Sequence, residues 1–238
     1  MREPLYFSRA TLKRDPALEA LAPVLMPADA SARLQTDHRL VWSLFAGDRD
    51  APRDFLFRRQ DTKTTAQRAA FLILSKRPPD ENAPLFDVET KSFEPALSLG
   101  DRLRFSLYAN PTIDRIRRVN GVRVSGRHDV VMDALAHLPP GERAGARYQA
   151  ICDAGRAWLE RKAQHSGFRL DDAGEIEIDG YDQLNIARGD GRAPISVSAL
   201  NFEGHLVVTE PQKFLRALAA GFGRARAFGC GLMLIRRA

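Results

Sequence analysis

SARLQTDHRLVWSLF (31–45) decides the fold when read with its flanks: LYFSRATLK (5–13) before it, RDFLFRRQ (53–60) and AAFLILSKR (69–77) after it. Leu34, Val41, Leu44 and Phe45 share one helical face with Trp42 at its edge, which predicts an amphipathic helix with Ser31 as its cap. The flanking segments are short and apolar and read as strands. AGDRDAP (46–52) breaks the helix, and a polar turn separates the two later strands. RPPDENAP (77–84) has room only for a short helix or loop, and FDVETKSFE (86–94) is the next strand. The resulting order, β-α-β-β-(α)-β, is the ferredoxin-like arrangement.

The second half repeats this order. DRLRFSLYANP (101–111) alternates, with Leu103, Phe105 and Leu107 on one face. Residues 112–128 carry an Asn120-Gly121 turn signal and read as a basic hairpin. A long helix follows over 142–165, with Tyr148, Ile151, Cys152, Trp158 and Leu159 expected on its inner side. Strands are expected near 167–171 and 175–187, and a hairpin over 195–211 with Glu203-Gly204 at or near its turn. QKFLRALAAG (212–221) is a helix with Pro211 near its start, and GCGLMLIRR (229–237) is a closing strand. The expectation is an α+β chain of two tandem ferredoxin-like (RRM-like) βαββαβ domains, residues 1–96 and 97–238.

The composition of the 238-residue chain, 44% hydrophobic and 28% charged, is that of a folded globular protein. Cys152 and Cys230 are the only cysteines, which excludes a disulfide framework and a zinc site built on several cysteines. Histidines and carboxylates do not cluster at ligand spacing, so no metal is expected. No apolar run is long enough to span a membrane, and MREPLYFSRATLKRDP (1–16) lacks a signal-peptide core. The expected setting is the cytoplasm, without membrane attachment.

The net charge of +6 is unevenly spread. Residues 102–128 hold Arg102, Arg104, Arg115, Arg117, Arg118, Arg123 and Arg127 against Asp114 alone. Residues 213–238 hold Lys213, Arg216, Arg224, Arg226, Arg236 and Arg237 and no acid. Each segment is therefore +6 and the remainder of the chain −6. Arginine-rich segments on an acidic body point to a polyanion, because guanidinium groups fork onto phosphate. A solvated charged face is the plainer reading of such runs, and composition alone does not separate the two.

The C-terminal segment GFGRARAFGCG (221–231) has a G-h-G-x5-G-h-G pattern between a helix and the last strand. Gly221, Gly223, Gly229 and Gly231 permit positive φ and close approach, and Arg224 and Arg226 lie between the two pairs. Backbone amides and guanidinium groups together suit a nucleic-acid backbone. The loop follows a helix, so it is not a dinucleotide fingerprint, and there is no Walker loop. No cofactor is expected.

This loop resembles the signature of the repeat-associated RNA-binding superfamily of CRISPR systems. With HRLVWSLF (38–45), RDFLF (53–57), LYANP (107–111), AWLERK (157–162) and NFEG (201–204) in register, the chain resembles the CasE family, the CRISPR RNA-processing endoribonucleases of type I-E systems. The resemblance implies two ferredoxin-like domains and metal-independent cleavage of precursor CRISPR RNA at the 3′ base of the repeat stem-loop. The ribose 2′-OH attacks, leaving a 2′,3′-cyclic phosphate. It implies a protein that is monomeric alone, stays on its product and joins the other subunits of the type I-E surveillance complex.

It also implies a proton-transfer role for His38, placed before the LVWSLF-like run. An imidazole exchanges protons near neutral pH. Read by itself, a lone histidine on the apolar arc of a helix is ordinarily a packed core group. Some members carry a tyrosine three residues earlier, where this chain has Gln35; Tyr6, on the first strand, is a candidate to stand near the helix in its place, and Gln35 can still hydrogen-bond a ribose or phosphate oxygen. Arg39, Arg224 and Arg226 are candidates to support the phosphate. Arg102, Arg104, Arg115, Arg117, Arg118, Arg123 and Arg127 are candidates to clamp the stem, because an A-form helix is read through shape and backbone. Phe55, Phe57, Phe105, Trp42 and Trp158 read as core. Two alternatives stand beside this reading: a non-catalytic RNA-hairpin-binding subunit of the same fold, and a ferredoxin-like protein with an unrelated small-molecule or protein partner.

Overall fold

The computed structural model describes residues 4–45, 52–60, 68–119, 122–171, 174–186 and 193–238. The expected breaks after the first long helix and between the next two strands, and the Asn120-Gly121 turn, fall on residues outside that set. Contacts divide the chain into two units: residues 1–96 with 184–197 and 225–232, and residues 97–183 with 198–224 and 233–238.

The first unit contains β1 (Tyr6–Leu12), α1 (Pro16–Ala20), α2 (Ala22–Leu25), α3 (Ala30–Ser43), β2 (Phe55–Gln60), β3 (Ala70–Ser75) and β4 (Phe86–Ser92). Its sheet order is β2-β3-β1-β4, with every neighbouring pair antiparallel. β1 and β2, joined through α3, straddle β3, which is the split βαβ of a ferredoxin-like fold. A loop containing Pro78 and Pro79 stands where a second crossover helix would lie, since prolines deprive a helix of backbone donors.

The cap of α3 is Asp29, not Ser31, which lies inside the first turn. Asp29 accepts the Ala32 N–H at 2.7 Å, and its negative charge also suits the helix N-terminus. The inner face of α3 presents Leu40 and Val41, followed by Leu44 and Phe45, to Ala10, Leu12, Phe57, Phe71 and Phe86 of the sheet. Leu34 is only half-buried, and Leu40 takes the central position.

From residue 102 the elements are β5 (Arg102–Ala109), β6 (Thr112–Val119), β7 (Val122–Asp129), α4 (Val130–Ala136), α5 (Arg143–Gln164), β8 (Phe168–Leu170), β9 (Glu177–Ile186), β10 (Ile195–Val208), α6 (Pro211–Ala220), a 3-10 turn (Arg226–Phe228) and β11 (Met233–Arg237). The sheet order β11-β5-β10-β8 repeats the first sheet's topology, with β9 added against β10. β6 and β7 form a separate antiparallel ribbon ahead of α4. The chain is thus two ferredoxin-like units in tandem. The core of the second unit includes Phe105, Leu107, Leu159 and Phe214, with Trp158 stacked on Phe202 at 5.5 Å.

Two expectations are corrected here. β10 is one strand across Glu203-Gly204, with Gly204 opposite Phe105. A Cβ at Gly204 would stand 3.2 Å from Ile176 and 3.3 Å from the Glu175 carbonyl, so this glycine marks a close approach rather than a turn. Tyr148 lies on the outside of α5, 74% exposed, while Trp158 and Leu159 form its buried side.

Candidate active site and nucleic-acid interface

His38 lies on α3, one residue after Asp37. Asp37 is buried and accepts a hydrogen bond from the Arg59 guanidinium of β2, an ion pair that fixes the rotation of the helix over the sheet. The next side chain is turned by about 100° from Asp37. His38 is accordingly half-buried at the edge of the packed face. Its ring stands edge-on to Trp42 at 6.3 Å and tilted to Phe228 at 6.1 Å. Trp42 is backed by Phe55 at 5.1 Å, and Phe55 stacks on Phe45 at 4.7 Å. The imidazole therefore sits between α3 and the 3-10 turn, on a rigid aromatic base. Its Nδ1 is buried and makes no hydrogen bond.

Burial lowers the His38 pKa below the usual histidine value of 6.5, and the nearby Arg53 charge lowers it further. The Ala227 backbone carbonyl favours the charged ring and opposes this, and Arg39 adds to the depression. Arg53 is itself half-buried, and burial and the neighbouring Arg226 charge lower its pKa from the ordinary arginine value. Positive charge thus acts on His38 from Arg39 on α3 and from Arg53 in the lead into β2, and Arg226 of the 3-10 turn acts on Arg53.

The glycine-rich loop shapes this convergence. Gly221, Gly223, Gly229 and Gly231 all have φ between +76° and +93°, and Ala225 is left-handed at +53°. At Gly223 a Cβ would come within 2.8 Å of the Asn110 carbonyl oxygen and 3.2 Å of Trp158. The Arg224 N–H donates to that carbonyl at 3.2 Å, and the buried Asn110 side chain donates to the Ser198 carbonyl. Gly221, Gly223 and exposed Arg224 belong to the second unit; Arg226, Gly229 and Gly231 belong to the first. The Gly229 position leaves a Cβ only 3.4 Å from Phe57.

Of the candidate residues, Arg39 acts directly on the charge state of His38, while Arg226 acts on that of Arg53. Gln35 is half-buried one turn before His38, on the same side of α3. Tyr6 has the parity of Ala10 and Leu12, on the helix-covered face of the first sheet. Arg53 was missed, because nothing local marks it. It lies fifteen positions from His38 in the RDFLF segment, and only the fold joins them. Among the described residues, no group of three or more His, Cys, Asp or Glu side chains is placed to hold a metal ion.

The arginine segment is less bare than its composition implies. Arg102 pairs with Asp171, Arg104 with Glu203 at 3.2 Å, and Arg127 with Asp114 at 3.1 Å. Arg115 forks onto both oxygens of Asp133 and holds that carboxyl below the usual carboxylate range. Arg117 and Arg118 lie on β6, and the register sets Arg118 directly opposite exposed Arg123.

A family model described as CRISPR associated protein matches residues 5–237. The chain is 27% identical over 215 residues to the CRISPR system Cascade subunit CasE of Escherichia coli (strain K12), covering 90% of this chain and 96% of that one. It is 33% identical over 152 residues to the CRISPR-associated endoribonuclease Cse3 of Thermus thermophilus, covering 61% of this chain and 60% of that one. A solved structure of CRISPR endoribonuclease Cse3 bound to 19 nt RNA aligns with TM-score 0.61 and 26% identity, over 98% of this chain and 99% of that one. No described helix is long and apolar enough to cross a membrane.

Proposed function

The chain belongs to the CRISPR-associated protein family, and from that premise we propose that it is a metal-independent endoribonuclease that cuts precursor CRISPR RNA at the 3′ base of the repeat stem-loop. The observation that carries this reading is His38, held half-buried between two aromatic rings with arginine charge converging on it. The relatives named CasE and Cse3, a Cascade subunit and an endoribonuclease, support it.

A histidine whose pKa is lowered is neutral at physiological pH, the form that accepts a proton. The imidazole takes the proton of the ribose 2′-OH. The 2′-oxygen attacks the adjacent phosphorus, the P–O5′ bond breaks, and the departing 5′-oxygen takes a proton from water. The products are a 2′,3′-cyclic phosphate and a 5′-OH. Charge that builds on the phosphoryl oxygens is met by guanidinium groups already in place, which spares reorganisation in the transition state. Exposed arginines of the β6–β7 ribbon hold the stem through its backbone. The product stays bound, and the protein works with the other subunits of a type I-E surveillance complex in the cytoplasm.

The test is a labelled cognate repeat incubated in EDTA with wild type and with His38→Ala. Wild type is expected to cut and leave a cyclic phosphate end; the variant is expected to bind and not to cut. A requirement for Mg²⁺, or cleavage by the variant, overturns the chemistry. Tight binding without cleavage by wild type selects the non-catalytic RNA-binding subunit instead.

A further inference from the structure

We propose that Tyr181 is a positioning residue for stem recognition: its hydroxyl latches Asp129 and so fixes the direction in which the β6–β7 ribbon leaves the second unit. The inference rests on the reading that the ribbon holds the RNA stem, and adds what aims it.

Three observations carry it. First, the ribbon is a sheet of its own, and its two strands enter and leave the unit side by side, at Thr112 and Asp129, which face each other in the register. Beside that rung the Val130 N–H donates to the Pro111 carbonyl at 3.4 Å. Asp129 is both the last residue of β7 and the cap of α4, whose Met132 N–H it accepts at 2.8 Å. A two-stranded ribbon has no further strand to hold its angle, so whatever fixes this junction aims the ribbon. The Arg115–Asp133 pair joins β6 to α4 and stiffens the ribbon against that helix.

Second, the junction is also held from β9, which pairs with β10 of the main sheet. The Tyr181 hydroxyl donates to Asp129 Oδ1 at 2.8 Å. Gln183 Nε2 donates to the Tyr181 oxygen at 3.2 Å, which leaves the hydroxyl hydrogen for Asp129. Arg147 of α5 lies over the Tyr181 ring at 5.1 Å and donates to Gln183 Oε1 at 3.5 Å. β9 is turned just before the tyrosine: Gly180 has φ +64°, and a Cβ there would stand 2.6 Å from Asn201 Nδ2.

Third, the hold on Asp129 is one-sided. Oδ1 takes both the Tyr181 O–H and the Met132 N–H, while Oδ2 is buried and makes no hydrogen bond. A buried carboxylate oxygen without a donor favours rotation toward water, and the Tyr181 hydroxyl opposes it. Burial and the Asp129 carboxylate raise the Tyr181 pKa, so the hydroxyl stays a donor through the neutral range. Without it the junction gains other conformations, only a fraction of the free protein presents the ribbon correctly, and affinity falls by that fraction. The phosphate contacts in the complex stay the same.

The experiment compares wild type, Tyr181→Phe, Asp129→Ser and the double variant. Phenylalanine keeps the ring under Arg147, and serine keeps a cap for α4 while drawing back from Tyr181. Binding is measured with the cognate repeat blocked by a 2′-deoxy sugar at the cleavage position, and with an unstructured RNA of equal length. Each variant is expected to bind the stem-loop about three- to tenfold more weakly, with the slope of log K against log salt unchanged. The double variant is expected within about twofold of either single one, because both remove the same bond. In single-turnover cleavage of the unblocked repeat, the RNA concentration for half-maximal rate is expected to rise while the maximal rate holds within about twofold.

Hydrogen exchange at the Val130 amide reads the junction without RNA. It is expected to be faster in free Tyr181→Phe and to return to the wild-type rate once RNA is bound, a recovery that a merely structural role does not produce. Wild-type affinity in Tyr181→Phe, or Val130 exchange equal to wild type, overturns the latch. A wild type that binds both RNAs alike refutes the stem reading, and the exchange then decides the latch. A wild type that binds the stem-loop and cuts nothing refutes the endoribonuclease reading alone, and binding and exchange decide the latch. Asp129→Ser tests the same bond if Tyr181→Phe does not fold.

Discussion

His38 stands half-buried on an aromatic base with its pKa lowered from 6.5, and this fixes the sign of its pH dependence. In the unfolded chain the ring titrates near 6.5; in the folded protein it holds its proton less tightly. Between the folded value and 6.5 the unfolded state binds more protons, so stability rises with pH there and is flat above. Stability gained from the neutral ring is lost as the pH falls through the folded pKa. The same group gives the kinetics their acid limb. For the free protein, kcat/KM of cleavage should rise with a midpoint below 6.5 and be level at pH 7–8. Measuring that profile from pH 4.5 to 8.5 checks the assignment. A midpoint above 6.5, or a rate that falls between pH 6 and 8 as for an essential acid, rejects His38 as the base. At this scale the sequence was only partly readable. His38 and Arg226 were visible through the segments that contain them. Arg53 is not, because its charge acts on a residue fifteen positions away and only the fold relates the two.

The glycine-rich loop is legible as an element because its chemistry is local. Four glycines at positive φ are what the G-h-G-x5-G-h-G spacing demands, and all four adopt it. Gly223 is the most constrained, with positive φ and a carbonyl oxygen 2.8 Å from where a Cβ would sit. Gly223→Ala should lower stability by about 1–3 kcal/mol. It should also pull Arg224 away from its backbone bridge to Asn110. Chemical denaturation and the exchange rate of the Arg224 amide measure the two effects; an unchanged midpoint contradicts the strain. β10 shows the opposite case. Glu203-Gly204 interrupts an apolar run and reads as a turn, yet Gly204 is there to let Ile176 and the Glu175 carbonyl approach. Glycine's two uses, φ freedom and absence of bulk, look alike in one dimension. The cap of α3 was missed for a similar reason: Asp29 and Ser31 are both good caps, and only the extended backbone at Asp29 decides between them.

For the whole molecule the decisive quantity is where the arginines spend their charge. Counting gave a +6 segment over 102–128, but the fold pairs four of its arginines with carboxylates, three of which, Asp133, Asp171 and Glu203, lie outside the segment. These pairs differ in kind. Arg104–Glu203 and Arg127–Asp114 are exposed on both sides, worth little in water and easily exchanged for phosphate. Arg115 is bound through two nitrogens to nearly buried Asp133, so releasing it would strand a carboxylate. Arg123 is exposed on the ribbon, open to a phosphate. The two arginines should therefore separate in a salt titration of repeat binding. Arg123→Ala is expected to lessen the slope of log K against log salt by about one and to leave stability near wild type, because an exposed side chain and one phosphate contact are lost. Arg115→Ala is expected to leave the slope near wild type while lowering stability, because it breaks a structural ion pair. Equal slopes for Arg123→Ala and wild type would place the stem elsewhere on the protein. A flattened slope for Arg115→Ala at unchanged stability would mean that Arg115 leaves Asp133 for the RNA at no cost, contrary to the burial of that carboxylate.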